Sequence, residues 1–403
     1  MSETRKPGSA RSSARSLRSA APGLLAALLL AAGLTACSQG AGGGAAAATC
    51  DPTPYDAAIS AYAGGGVLAK GPYGETSPDW TSIALSDDEI AKVRAMGATA
   101  AVVMHFSGDS WSNAQVAGIR SELDKLGIRI VAQTDAQADP AKQFSDVETA
   151  LAAGPDVMLS IPSLDPTALA PAFRKAADQD VKLVFLENPA KDFRPGTDYV
   201  SVVATDNYGA GVINAHQMAR SLCGSGAVGV IRHAAQAPTN VLRAQGFTET
   251  LTAEYPAITV AEDKGLLGPD WKGEGSSTVN AWLTKHPDLA GVWCWFDAPC
   301  EGAIDAARSS GRAGLAVTTV DLGNNVAIDM ARREYVTGIA AAQPYQQGVV
   351  EARLAAYGLL GKQAPPFVAL PALPVDADNL LDSWTTVYQA DPPADLTTAM
   401  GPG

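Results

Sequence analysis

Apolar segments of strand length alternate with amphipathic segments of helix length through most of this chain, and that alternation constrains the fold most strongly. Thr99–Met104 is an uninterrupted apolar segment, and the helical pattern of Ser112–Leu126 ends at Gly127, a typical C-cap residue. Continuous apolar strands separated by amphipathic helices indicate parallel sheets covered by helices on both faces. About ten such units are too many for one compact sheet, so we predict an α/β protein with two doubly wound lobes.

Polar and aromatic residues directly follow several of the predicted strands. Because ligands of open α/β sheets bind beyond the carboxyl ends of the strands, we expect these residues to meet at one edge. They are His105 to Trp111, Glu187-Asn188, Arg232-His233 with Arg243 in the next helix, Asp270-Trp271, Phe296-Asp297, Asp321 and Gln343. Carboxylates and Arg bind hydroxyl groups, and flat rings cover C–H faces, so this mixture favours a carbohydrate ligand.

The N-terminal region has the features of an export signal. Five basic residues precede the apolar stretch Gly23–Leu34, which is too short to cross a membrane. The following Leu-Thr-Ala-Cys sequence resembles a bacterial lipobox, in which the Cys is lipidated and becomes the new N-terminus. We therefore predict a signal peptide over 1–36, lipidation of Cys37, a flexible tether over 37–50 and a location on the outer face of the cell membrane. An ordinary cleavage site with an accidental Cys is the alternative.

Charge and cysteine content limit the possible partners. The chain carries a net charge of −13, and removal of residues 1–36 would leave 24 basic and 41 acidic residues, a net of −17. Such a surface disfavours nucleic acid as a partner. Four cysteines besides Cys37 allow three disulfide connectivities, of which we favour Cys294–Cys300 with Cys50–Cys223. A zinc site is the alternative, but there is no C-x-x-C pair, so we expect no metal and no cofactor.

Several segments resemble the ribose-type periplasmic binding proteins, the substrate-binding subunits of sugar ABC importers. They include SELDKLGIRIVAQTDAQADPAKQFSDVETALAAGPDVMLSIPS, VVATDNYGAGVINAHQMA, VLRAQGF, HPDLAGVWCWFDAPCEGAI and QPYQQG. The resemblance implies two α/β lobes that are joined by three crossings and close on a ligand like a hinge. It places the first lobe at 51–204 plus 343–370, with 51–97 as an extension of unknown role, and the second lobe at 205–342 plus 371–395.

The resemblance also assigns ligand-binding positions. Asp109 stands where the family has a sugar-binding Asn, and Trp111 and Trp271 stand where it has stacking aromatic residues. Glu187 and Asp321 match its hydroxyl-binding carboxylates, and Arg243 matches a hydroxyl-binding Arg. The residues themselves leave open that Asp109 caps a helix and that Trp111 packs in the core.

Three positions depart from the family pattern. Asn188 replaces an Arg, Phe296 replaces an Asn, and Ala342 replaces a Gln for which Gln343 can substitute. Strand neighbours alternate, so of Trp295 and Phe296 we expect only Phe296 to face the cleft. The lost charge and amides favour a ligand less hydroxylated than ribose or of another shape, such as a deoxysugar, polyol or glycoside.

These observations predict a monomeric lipoprotein that binds a small neutral carbohydrate or polyol and delivers it to an ABC permease. No G-x-S-x-G, H-E-x-x-H or P-loop motif appears, so we predict no enzyme activity. A ligand sensor for a membrane receptor or kinase is the alternative, and a surface carbohydrate-active enzyme using Glu187 and Asp321 is a further one. Replacing Arg243 or Asp321 with Ala should abolish binding and leave the melting temperature without ligand nearly unchanged.

Overall fold

The computed structural model describes residues 50–162 and 166–401. The predicted signal peptide, Cys37 and most of the predicted tether lie outside these residues. The strands are β1 (Thr99–Met104), β2 (Arg129–Asp135), β3 (Val157–Ser160), β4 (Lys182–Leu186), β5 (Ser201–Thr205), β6 (Gly226–His233), β7 (Ile258–Leu266), β8 (Leu289–Cys294), β9 (Ala316–Val320), β10 (Val336–Ala341), β11 (Phe367–Leu370) and β12 (Leu373–Val375).

The helices lie between the strands and at both ends of the described chain. They are α1 (Thr53–Gly65), α2 (Asp87–Met96), α3 (Ser110–Leu126), α4 (Pro140–Ala152), α5 (Pro166–Asp178), α6 (Asn207–Ser221), α7 (Pro238–Glu254), α8 (Trp271–Lys285), α9 (Asp297–Ser309), α10 (Asn324–Ala331), α11 (Pro344–Leu360), α12 (Leu380–Tyr388) and α13 (Ala394–Ala399). Gly127 ends α3 with φ 68°, a left-handed conformation that a glycine adopts without steric cost.

Two six-stranded sheets organise the chain into two lobes. The first sheet has the order β11-β5-β4-β3-β1-β2 and the second has the order β12-β10-β9-β8-β6-β7. All described pairs are parallel except the antiparallel pair of β10 with β12. The predicted class, two doubly wound lobes, is confirmed, with one antiparallel edge strand added to the second sheet.

Both faces of the sheets are buried, as the continuous apolar strands predicted. In β1, Ala100, Val102 and Met104 contribute to one core cluster. The alternate residues Ala101 and Val103 contribute to a second cluster on the opposite face. Helices must therefore cover the first sheet on both sides, which leaves the strand ends as the places where side chains can meet a ligand.

The chain passes between the two sheets three times. It leaves the first sheet between β5 and α6, returns between β10 and α11, and leaves again between β11 and β12. The crossings are bonded to one another: the Asp206 N–H donates to Leu370 O at 2.7 Å, and Gln343 Nε2 donates to Pro371 O at 2.7 Å. This arrangement is the three-crossing hinge that the resemblance implied.

Helix α1 packs against the second lobe, although residues 51–97 were assigned to the first. It contacts α6 and β12, and its Tyr55 packs against the core of the second sheet. Only the following residues, such as Ala69 and Ile83, enter the cores of the first lobe. The assignment of α1 was wrong because the helix takes its partners from residues more than 140 positions later, which no local pattern reveals.

Both favoured cysteine pairs form disulfides. Cys50–Cys223 has a Cα separation of 5.5 Å and Cys294–Cys300 one of 5.7 Å, both ordinary for a disulfide. These four sulfurs are therefore not available as zinc thiolates. Within residues 50–162 and 166–401, no group of three or more His, Cys, Asp or Glu side chains is placed to hold a metal ion. In the same part of the chain, no helix is both long and apolar enough to span a membrane.

Candidate ligand-binding cleft

Glu187 and Asp321 follow β4 and β9 directly, in tight turns on opposite lobes. Their φ angles are 61° and 70°, in the left-handed region that residues other than glycine rarely occupy. Each turn is held by a backbone hydrogen bond, from Glu187 N to Val203 O at 2.7 Å and from Asp321 N to Ala340 O at 3.2 Å. Strained backbone of this kind costs about 1–3 kcal/mol and is concentrated at functional sites.

The Glu187 carboxylate is the centre of a buried hydrogen-bond network at the hinge. Its Oε1 accepts from the N–H and hydroxyl of Thr205, both at 3.0 Å, and from Gln347 Nε2 at 3.0 Å. Its Oε2 accepts from Asn207 Nδ2 at 2.7 Å. The donors come from β5, α6 and α11, so this one side chain ties together the segments that flank two of the crossings.

Asn207 and Arg243 extend this network into the second lobe. Asn207 Oδ1 accepts from Arg243 Nε at 2.8 Å. The Arg243 guanidinium also donates to Trp295 O at 2.8 Å and to Asp321 Oδ2 at 3.2 Å, with only 6% of the residue exposed. A continuous chain of hydrogen bonds thus runs from Glu187 in the first lobe to Asp321 in the second.

Several carboxyl groups of the cleft are close enough to shift one another's pKa values. Burial raises the pKa of Asp321, and the Arg243 charge opposes that effect. Burial also raises the pKa of Asp297 well above its usual value, and the charges of Asp321, Glu301 and Asp109 add to the shift. Asp321 Oδ1 is buried without a hydrogen-bond partner among the described residues, so it can accept a hydrogen bond from a ligand.

Aromatic rings form one wall of the second lobe beside these carboxyl groups. Trp295 lies 4.7 Å from Phe296 and 5.3 Å from Trp271 between ring centroids, and His233 lies 4.9 Å from Trp271. His233 Nδ1 accepts from Ala235 N at 2.7 Å, and burial lowers the pKa of His233 to about 4, so the ring is neutral at pH 7. The aromatic wall therefore combines the apolar faces of the Trp and Phe rings with the uncharged imidazole of His233.

That Phe296 rather than Trp295 faces the cleft stays a prediction, although strand alternation is not the reason for it. Strand β8 ends at Cys294, so the alternation of strand side chains does not extend to these two residues. Trp295 is 4% exposed and packs in the core of the second lobe, whereas Phe296 is half-buried against it. Both rings belong to the same aromatic wall.

Asp109 and Trp111 differ in what they contact. Asp109 caps α3, accepting from the N–H and hydroxyl of Ser112, both at 2.6 Å, and it remains exposed at the cleft near Asp297. Trp111 is half-buried and packs against the core of the first lobe. The structure thus places Asp109 at the cleft and gives Trp111 a core-packing contact.

Asn188 and Gln343 connect structural segments. Asn188 Oδ1 accepts from the Thr239 hydroxyl at 3.1 Å, which links the first lobe to the start of α7. Gln343 donates to the third crossing, as described above. Gln347, one turn further along α11, reaches Glu187 instead.

Sequence reasoning did not single out Thr205, Asn207, Thr239 and Gln347. Asn207 and Gln347 lie within the segments VVATDNYGAG and QPYQQG, which carried the family resemblance. Their location at the crossings was the signal that could have identified them as cleft residues, because residues at a crossing face both lobes. Thr239 had no such signal, since its role depends on how α7 approaches β4.

A cavity of about 290 Å³ lies between the lobes beside the Glu187 network. Glu187, Thr205 and Asn207 line it on one side, and the first turns of α7 line it on another. Residues 69–72, from the segment that follows α1, complete the lining. A second cavity of about 210 Å³ lies at the ends of β1 and β2, away from this network.

Comparison with known proteins agrees with this architecture. The family model described as "Periplasmic binding protein domain" matches residues 100–363. The chain is 28% identical over 254 residues to the ribose import binding protein RbsB of Bacillus subtilis, covering 63% of this chain and 79% of that protein. It is 26% identical over 254 residues to the xylitol-binding protein of Mycolicibacterium smegmatis, covering 60% of this chain and 67% of that protein.

A similar fold occurs among solved structures. An ABC transporter solute-binding protein from Agrobacterium vitis, bound with alpha-D-tagatopyranose, has a TM-score of 0.66 at 22% identity and covers 72% of this chain and 99% of that one. This structure shows the fold, and the family model with the sequence relatives confirms the predicted resemblance to ribose-type binding proteins.

Proposed function

The chain belongs to the periplasmic binding protein domain family, and on that premise we propose that it captures a small carbohydrate or polyol between its lobes and delivers it to an ABC importer. Relatives of similar sequence are named for ribose import and for xylitol binding. The protein acts outside the cytoplasm, as the family does.

The observation that carries this proposal is the hydrogen-bond chain Glu187–Asn207–Arg243–Asp321 between the lobes. A hydroxyl group donates one hydrogen bond and accepts others, so it can bridge a carboxylate and a guanidinium. The adjacent rings of Trp271 and Phe296 offer apolar faces to C–H groups. This combination suits a ligand with hydroxyl groups on its rim and C–H groups on its faces.

Ligand binding would be coupled to closure of the hinge. Glu187 lies on the first lobe and Arg243 and Asp321 lie on the second, so a ligand that bonds to both groups binds best when the lobes are together. The ligand therefore shifts the population toward the closed form, which the importer recognises. The departures at Asn188 and Phe296 favour a deoxysugar, polyol or glycoside over ribose itself.

A glycosidase role for Glu187 and Asp321 is not supported by the geometry. Donors from Thr205, Asn207 and Gln347 engage both oxygens of Glu187. A catalytic acid or nucleophile needs a carboxyl oxygen free of such strong donors, whereas binding a ligand hydroxyl needs only the remaining lone pair of Glu187 Oε2. The proposed activity is therefore binding without chemistry.

Anchoring through Cys37 and a monomeric state complete the proposal. The basic start, the short apolar stretch and the Leu-Thr-Ala-Cys sequence support cleavage before Cys37 and lipidation of its thiol. We expect the N-terminal peptide from cells to carry acyl chains in mass spectrometry, and the Cys37→Ala variant to be released from the membrane. An unmodified N-terminus in the native protein would contradict the anchor.

The experiment that tests the binding function is a thermal-shift screen against pentoses, hexoses, deoxysugars and polyols. A ligand that binds only the native state at 100 times its Kd stabilises the protein by about 2.7 kcal/mol, so one compound should raise the melting temperature clearly. The Arg333→Ala variant, which loses only an exposed ion pair with Asp378, should show the same shift. If no sugar or polyol in the panel shifts either protein, the proposed ligand class is wrong.

A further inference from the structure

Residues 50–79, here called the N-terminal strap, contact both lobes and the hinge. The strap contains α1 and the segment that follows it, and it lies wholly outside the part of the chain that matches the family model, which begins at residue 100. Its contacts are therefore a feature of this chain that the family match does not account for.

The first part of the strap is fixed to the second lobe. The disulfide Cys50–Cys223 joins its beginning to the residues just after α6. Tyr55 lies 5.8 Å from Tyr255 between ring centroids, and Asp56 pairs with Arg220 at 3.1 Å. A covalent bond, an aromatic contact and an ion pair thus hold α1 on this lobe.

The middle of the strap is bonded to the first crossing through Asp206, which is fully buried. The Asp206 carboxylate accepts from the Tyr62 hydroxyl at 2.9 Å, from Leu68 N at 2.7 Å and from Ala69 N at 2.8 Å. The close approach requires Gly209 on α6, because a Cβ there would lie 2.3 Å from the Tyr62 hydroxyl oxygen. Three of the four donors to this carboxylate belong to the strap, and the fourth is Gly209 N.

The last part of the strap is fixed to the first lobe. The Tyr73 hydroxyl donates to Phe193 O at 2.5 Å, and the Arg194 guanidinium lies 4.2 Å from the centre of the Tyr73 ring. Ser77 Oγ accepts from Ala369 N at 2.8 Å, which caps the edge strand β11. The strap therefore runs from one lobe to the other across the hinge.

We infer that the N-terminal strap is a fourth, disulfide-anchored connection between the lobes, and that it limits how far they open. Three crossings alone allow bending and twisting about the hinge, and hinge motion depends on a few such connecting residues. A fourth connection with fixed ends must stretch or detach when the lobes separate. The strap also lines the cavity beside Glu187, so opening that cavity requires the same segment to move.

The test measures the opening of the purified protein by small-angle X-ray scattering with no ligand added. A six-residue Gly-Ser insertion at Gly66 lengthens the chain between Tyr62 and Leu68, so either side of the strap can leave Asp206 without pulling on the other, and it leaves the Cys50 and Tyr73 anchors untouched. Gly66 is exposed and has no neighbouring atom within 4 Å of a Cβ position. The matched control is the same insertion at Gly311, an exposed glycine of the second lobe with equally open surroundings. We expect a larger radius of gyration for the Gly66 insertion than for the Gly311 insertion.

A second pair of variants removes the anchor instead of lengthening the strap. Cys50→Ser with Cys223→Ser should also increase the radius of gyration, whereas Cys294→Ser with Cys300→Ser should not. Circular dichroism verifies that each variant is folded. Equal radii for the Gly66 and Gly311 insertions would overturn the inference. Since no ligand is involved, this result leaves the proposed binding function unaffected.

Discussion

Replacing Arg243 with Ala is expected to lower ligand affinity at least about 100-fold, which corresponds to about 2.7 kcal/mol. The guanidinium is the group that connects Asn207 to Asp321, and a hydrogen bond to a charged group contributes about 1.5–3 kcal/mol. Isothermal titration calorimetry with the compound identified in the thermal screen measures this loss. An unchanged Kd would remove Arg243 from the binding site.

The same substitution should also destabilise the protein without ligand, contrary to the expectation from sequence alone. Removing Arg243 leaves the Asp321 carboxylate, whose side chain is only 15% exposed, without its counter-charge, and breaking a buried pair costs about 3–5 kcal/mol. Arg333→Ala is the matched control, because the side chains of Arg333 and Asp378 are 69% and 74% exposed. Such an exposed pair contributes about 0–1 kcal/mol, so the control should unfold almost like the native protein.

Removing the Cys50–Cys223 disulfide is expected to lower the free energy of unfolding by about 5 kcal/mol. The bond joins residues 173 positions apart, and the chain-entropy relation gives a stabilisation that grows with the length of the closed loop. Urea unfolding of the Cys50→Ser, Cys223→Ser variant, followed by tryptophan fluorescence, measures the change.

The second disulfide serves as the control for this prediction. Cys294 and Cys300 are only 6 positions apart, and the same relation gives about 2 kcal/mol. The two double variants lose the same chemical group, so the difference between their free energies of unfolding reports the length of the closed loop and the attachment of α1. If Cys294→Ser with Cys300→Ser proved the more destabilising, the entropic argument would fail.

The alternating pattern made the fold predictable, because parallel strands buried on both faces leave a strong local signal. Thr99–Met104 was predicted as a strand with the bounds that β1 has. The short strands β11 and β12 were missed, since segments of three or four residues carry no detectable period. The position of α1 was also not predictable, because its partners on α6 and β12 are fixed only by tertiary packing.

The contacts of the cleft residues were also predictable in some cases and not in others. Glu187, Arg243 and Asp321 come together in the structure because each was placed at or after the end of a strand. Trp111 packs against the core of the first lobe, and Gln343 bonds to the third crossing. The sequence did not predict these contacts, because the direction of a side chain in a loop or at a helix start depends on neighbours that the sequence does not identify. The role of each cleft residue in ligand contact remains a prediction for the binding experiments.

The buried carboxylate of Asp206 has a consequence for where this molecule can be shortened. A chain cut to begin at residue 100, where the family match begins, would lose the Tyr62 hydroxyl and the two backbone amides that bind Asp206. One donor, the Gly209 N–H, would remain for a carboxylate at the pivot of the molecule. The family match therefore leaves out three of the four donors to this carboxylate, and we expect a chain that begins near Cys50, which keeps all four, to be the shorter form that folds.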